Sequence, residues 1–93
     1  MATSAPPRFT DLQGQYLAFI HAYGLVNGRP PAEADMQRFF GVTPPSVHNM
    51  VKTLERLGLI TRAPRQARSI AVAVPEDELP RLRQPIKSSG VEY

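Results

Sequence analysis

Apolar residues along the early part of the chain recur at helical spacing. Leu12, Tyr16, Phe19, Ile20 and Tyr23 fall on one stripe, which predicts a helix over roughly Asp11 to Val26. Thr10 opens it: its hydroxyl can accept from a free backbone N–H while Gln13 reaches back to complete a capping box. Gly24 interrupts the pattern near the end, and Asn27-Gly28, two residues that tolerate positive φ, close it. Arg29-Pro30-Pro31 is an extended connector, because proline fixes its own φ and restricts the residue before it. A second, shorter helix follows over about Ala32 to Phe40. Glu33 and Asp35 lie in its first turn, where negative charge complements the helix dipole. Met36, Phe39 and Phe40 form its apolar side, and Gly41 suits the position just past its end.

The pattern restarts almost at once. Thr43 caps a third helix with Pro44 at its first position, where the missing N–H costs nothing. Val47, Met50, Val51, Leu54 and Leu57 make one continuous stripe that stops at Gly58. The turn between the second and third helices is therefore only about Gly41 to Thr43, and two helices joined by so short a glycine-containing turn predict a helix-turn-helix. Beyond Gly58 the period changes to two. Leu59 to Arg62 reads as a strand, Ala63 to Arg68 as a polar turn containing Pro64, and Ser69 to Val74 as a second strand carrying Ile70, Val72 and Val74. The predicted architecture is mainly α (α+β): a three-helix winged helix-turn-helix with a C-terminal β-hairpin wing. Residues 10–74 form this domain, residues 1–9 a flexible arm, and residues 75–93 a polar, Pro-containing mobile tail with a helical turn near Glu76 to Leu79.

Composition narrows the class. The chain has 93 residues, 42% of them apolar, which suits one small globular domain. It has no cysteine, so disulfide scaffolds and thiolate zinc sites are excluded and a reducing compartment fits. No apolar run approaches the ~20 residues of a membrane span, and Met1 to Arg8 lacks the features of a secretory signal. A soluble cytoplasmic, nucleoid-associated protein is expected. The net charge of +3 is unevenly placed: residues 1–42 balance to zero and residues 71–93 carry −1. Residues 43–70 carry +4, from Lys52, Arg56, Arg62, Arg65 and Arg68 against Glu55 alone. That is the footprint expected where a polyanion binds.

The faces of the third helix say which residues would meet it. With the stripe inward, Thr43, Pro45, Ser46, His48, Asn49, Lys52 and Thr53 are left outward or at the N-terminal end. In a helix-turn-helix, the first residues of the second helix meet base edges in the major groove of double-stranded DNA. Asn49 suits adenine N6 and N7, His48 suits guanine N7 or O6, and Ser46 suits a base or a phosphate. Lys52 and Thr53, further along, suit phosphate. Arg62, Arg65, Gln66 and Arg68 on or beside the wing suit the backbone or the minor groove. Enzyme readings find no support. His21 and His48 lie on different helices, no glycine-rich phosphate loop or nucleophile elbow is present, and Glu76-Asp77-Glu78 is a solvated charge run. No catalytic residue, metal, cofactor or small-molecule effector is expected. The competing class is a winged-helix module that binds another protein, or a non-specific DNA-binding accessory protein, with an incidental basic wing.

From Phe9 to about Val74 the chain resembles the DNA-binding domain of the LexA repressor family. The resemblance rests on the opening Phe9-Thr10-Asp11-Leu12-Gln13, the connector Asn27-Gly28-Arg29-Pro30-Pro31, the segment Met36 to Pro45, the ending Val51-Lys52-Thr53-Leu54-Glu55-Arg56-Leu57-Gly58-Leu59-Ile60, and the basic hairpin to Ile70. It implies a winged helix-turn-helix that binds DNA as a transcription regulator, in the manner of a repressor. Pro45 departs from the family pattern and restricts the first turn of the third helix. The family's C-terminal Ser-Lys self-cleavage domain has no counterpart in the ~20 residues after Val74, too few for a second domain, so self-cleavage is not expected. A homodimer is expected, because one such domain reads few base pairs. Its contact would come from the arm, the outer face of the first helix, or the tail with Leu79, Leu82, Ile86 and Val91.

Overall fold

The computed structural model describes residues 8–84. Helix α1 spans Asp11–Asn27, α2 Glu33–Phe40 and α3 Pro44–Arg56. Strands β1 (Ile60–Thr61) and β2 (Ala71–Val72) follow, then a 3-10 turn at Glu76–Glu78. Three helices and a two-stranded antiparallel hairpin make the winged helix-turn-helix that the periodicity predicts.

Local chemistry sets the helix ends. Thr10 Oγ1 accepts the Gln13 N–H at 3.1 Å and Gln13 Oε1 accepts the Thr10 N–H at 3.0 Å, so the α1 capping box is complete. At α2 the cap is one-sided. Ala32 has no side-chain acceptor, but its N–H donates to Asp35 Oδ2 at 2.8 Å. Gly41 ends α2 at φ 66°, and its N–H returns to the Gln37 carbonyl at 2.8 Å. Only a left-handed residue turns the chain sharply enough for Thr43 to cap α3 two positions later. The turn of the helix-turn-helix is thus the predicted Gly41 to Thr43.

The core joins all three helices to the hairpin. Leu17, Met36, Val47, Val51, Leu54 and Ile60 are fully buried, with Tyr16, Phe19, Ile20, Leu59, Ile70 and Val74 around them. Aromatic pairs fix α2 on α1: Tyr16 stacks on Phe40 with centroids 4.1 Å apart, and Phe19 on Phe39 at 4.7 Å. Two residues depart from the predicted stripes. Leu12 is 54% exposed, because burial of α1 begins only at Gly14, and Leu57, the cap of α3, is 46% exposed. From Gly14 to Ile20 α1 is buried on every side, so Leu17, absent from the predicted stripe, lies at the centre of the core.

What encloses the second side of α1 is the segment read as a mobile tail. Pro75 to Gln84 is docked. Gln15 Nε2 donates to the Arg81 carbonyl at 2.9 Å, and the Arg83 N–H donates to Gln15 Oε1 at 2.8 Å, so one buried amide replaces two rungs of a ladder. Leu79 and Leu82 are half-buried and pack on the core. Phe9 also packs on the core, and Arg8 meets Glu78 at 3.3 Å. The crossing is close at Gly14: a Cβ there would stand 3.0 Å from both Phe9 and Pro80 side-chain carbons, so either neighbour would have to shift. The remainder of the predicted arm and tail, including Ile86 and Val91, lies outside the described residues.

The strands are shorter than their alternation predicts. Register pairs Ile60 with Val72 and Thr61 with Ala71, and the Ala73 N–H adds one bond to the Leu59 carbonyl at 2.9 Å. Beyond Thr61 the ladder is replaced by side-chain bonding. Ser69 Oγ accepts the Ala63 N–H at 2.9 Å and lies 2.9 Å from the Gln66 carbonyl, while Arg65 and Arg68 adopt left-handed φ of 60° and 55°. A chain bent this way cannot continue an extended pairing.

Candidate nucleic-acid interface

Helix α3 presents two faces, as its stripe requires. Val47, Val51 and Leu54 face the core, whereas Pro45, Ser46, His48, Asn49 and Lys52 are exposed and Thr53 is half-buried. Its N-terminus offers little to a phosphate through the backbone. Pro44 and Pro45 lack N–H groups, and the Ser46 N–H is directed at Thr43 Oγ1, 3.4 Å away. The Thr43 hydroxyl in turn donates to Ser46 Oγ at 3.0 Å. The usual anion pocket at a helix start is therefore occupied by its own cap, and recognition by this helix must rely on side chains.

Beside that face lies the base of the wing. Asn49, Lys52, Thr53, Glu55, Arg56 and Arg62 line one open groove. Glu55 and Arg62 pass into a second, formed with Ala63, Pro64, Arg65, Gln66 and Ala67 at the wing tip. Asn49, Lys52 and Thr53 of α3 and the wing residues Arg62, Arg65 and Gln66 thus share one continuous surface, while Pro45, Ser46 and His48 lie outside its lining. Arg56, not singled out from the sequence, belongs to it. Extending the outward face one turn beyond Lys52 would have found it.

The cations on this surface are of two kinds. Lys52, Arg56 and Arg65 form no ion pair with any described residue. Arg62 is engaged: its Nε donates to Glu55 Oε1 at 3.0 Å and its Nη1 lies 3.6 Å from Glu33 Oε2. The same Glu33 oxygen is 3.5 Å from His48 Nδ1. Glu33, at the start of α2, thus faces side chains from both α3 and the base of the wing.

Arg68 departs from its expected place. Its Nη1 points inward, 3.3 Å from Tyr23 Oη, 3.2 Å from the Pro30 carbonyl and 3.2 Å from Asp35 Oδ2. One guanidinium thereby ties the wing to α1, to the connector and to α2. Asp35 is buried and is the hub of this clasp, with Arg38 as a second cation and the Ala32 N–H on the oxygen that Arg68 meets. The Ala32 N–H is the main cause holding the Asp35 carboxyl below its ordinary value; burial opposes it, and Arg68 and Arg38 add to it. Alternation along the wing carries no sign of the left-handed φ that turns residue 68 inward.

His21 on α1 lies 3.4 Å from Glu76 in the 3-10 turn. Among the described residues, no group of three or more His, Asp or Glu side chains is arranged to hold a metal ion, and no helix is long and apolar enough to cross a membrane.

Comparison with known proteins places this geometry among relatives. The family described as the LexA DNA binding domain matches residues 7–69. The LexA repressor of Thermosipho melanesiensis is 35% identical over 72 residues, 77% of this chain and 36% of that protein. The LexA repressor of Thermosipho africanus is 40% identical over 63 residues, 68% of this chain and 32% of that protein. The chain spans about a third of the length of these relatives.

Proposed function

Because the chain belongs to the LexA DNA-binding domain family, we propose that it is a DNA-binding transcription regulator that acts as a repressor, laying α3 in the major groove and its wing along the flanking backbone. The observation that carries this reading is the surface on which Asn49, Lys52 and Thr53 of α3 adjoin Arg56 and Arg65, cations that, like Lys52, pair with no described residue. Base edges are read by Asn49, His48 and Ser46, with Thr43 and Pro45 at the groove wall. Lys52, Thr53, Arg56, Arg62, Arg65 and Gln66 meet phosphate or the minor groove. Arg68 is left out of the contact set, since its guanidinium holds the wing to the helices. The protein works in the cytoplasm, on the chromosome, as a regulator and not as an enzyme.

The test is an unbiased selection of bound duplexes followed by Asn49→Ala. Loss of a bidentate adenine contact costs roughly 1–3 kcal/mol on the selected site and relaxes selectivity at one base pair. Undiminished binding by that variant places the reading face elsewhere. One such domain spans too few base pairs to find a unique genomic site, so the protein acts as a homodimer on an inverted repeat, formed at the latest on DNA. Sedimentation with and without the selected duplex decides this; a strict one-to-one complex on a site without a repeat defeats it.

A further inference from the structure

Glu33 has an ordinary reason to be where it is: a carboxylate in the first turn of α2 complements the helix dipole. The dipole does not explain where its oxygen points. Oε2 lies between His48 Nδ1 of α3, at 3.5 Å, and Arg62 Nη1 beside the wing, at 3.6 Å. The other edge of Arg62 is taken by Glu55 at 3.0 Å. Of five cations in the basic segment, Arg68 is committed to the interior and Arg62 is bracketed by two carboxylates, which leaves Lys52, Arg56 and Arg65.

We infer that Glu33, seconded by Glu55, competes with DNA phosphate for the Arg62 guanidinium, with the His48 ring at the same carboxylate, and so acts as a built-in brake on binding. The inference rests on the DNA-facing surface proposed above. A cation that is free in solution releases about one counterion equivalent when it meets a phosphate. Arg62 must first leave two carboxylates, and these then stand uncompensated beside the phosphate backbone. The brake acts on the phosphate term, which all sequences share, and so holds down non-specific binding along the chromosome.

The experiment measures affinity for a random-sequence duplex by fluorescence anisotropy over a salt series. It uses the wild type, Glu33→Gln, Glu55→Gln, and Asp77→Asn as a control for net charge away from this surface. Glu33→Gln should bind about two- to tenfold tighter at low salt, with a salt slope steeper by up to about one unit. Glu55→Gln should move both readouts the same way and serves alone if Glu33→Gln folds poorly. Most of the Glu33→Gln gain should vanish in an Arg62→Ala background, which a general charge effect would not produce. Unchanged or weaker binding by Glu33→Gln and Glu55→Gln overturns the inference, and so does an equal gain in Asp77→Asn. Asn49→Ala, measured on the selected duplex, and Arg65→Ala, measured on the random one, separate the two levels. If they weaken binding while the glutamine variants add nothing, only the brake fails; if they too are without effect, the surface itself is wrong and the brake falls with it.

Discussion

Leu54 and Leu57 sit on the same predicted stripe of α3, yet the structure gives them different fates, and truncating each to alanine exposes the difference. Leu54 is wholly buried within the cluster that includes Val47, Val51, Leu59 and Ile60. Its own carbonyl accepts the Leu59 N–H at 2.9 Å, which pins the backbone there. Leu54→Ala removes three carbons from water-free surroundings, about 2.4 kcal/mol at ~0.8 kcal/mol each. Neighbours fixed on a short helix and a strand collapse poorly into the gap, so a cavity term brings the total to about 3–5 kcal/mol. A chain of this size has only about 5–14 kcal/mol in all, and Tm should fall by at least about 12 °C. Leu57 caps the helix and is 46% exposed; Leu57→Ala should cost less than about 1 kcal/mol. Urea unfolding followed by far-ultraviolet circular dichroism reads both. Equal losses, or a Leu54→Ala variant that unfolds like the wild type, would refute the placement of α3 against the hairpin.

The other predictions concern the clasp, the tail and the wing tip. The Asp35 carboxyl is held below its ordinary value in the fold. Its stabilising effect is therefore present above the unfolded-state value and lost as pH falls through the folded one, so Asp35→Asn should be less stable at neutral pH and lose less on acidification below about pH 4; identical acid transitions would count against it. Gln15→Ala should free the Arg83 amide to hydrogen exchange and cost about 1–2 kcal/mol, since two part-buried bonds go at once; a still-protected Arg83 amide contradicts the docking. Arg65→Ala should weaken random-duplex binding and flatten the salt slope by about one unit. Arg68→Ala should instead lower the melting temperature; the reverse pattern would exchange the roles of the two arginines.

The helices were legible because their signals are local. Thr10 with Gln13, the Gly41 turn and the prolines opening α3 are decided within a few residues, and their positions fall as the spacing predicts. What periodicity misplaces is decided by distant chain. Pro75 to Gln84 closes over a face of α1 that a single stripe assigns to solvent, through the buried Gln15 amide and the packing of Leu79 and Leu82. On the candidate surface, residue types identified the outward face of α3, but not which cations were already engaged. Glu33 is far from Arg62 in sequence and meets it only because α2 packs on α3, from which the hairpin continues. Arg68 reads as one more wing arginine until its backbone turns left-handed.

That turn has a consequence for how the wing could be reshaped. Two-residue strands provide little grip of their own; the hairpin is held by Leu59, Ile60, Ile70 and Val74 in the core, and its return by Arg68, moored to Asp35 and Pro30. The stretch from Pro64 to Ala67 is then suspended between a short ladder and that mooring. Such a tip is an exchangeable module: insertions or altered residues there should change which stretch of groove it reaches while leaving the three-helix body untouched. A designer grafting a new tip would keep residue 68 and its carboxylate partner as fixed attachment points and vary everything between.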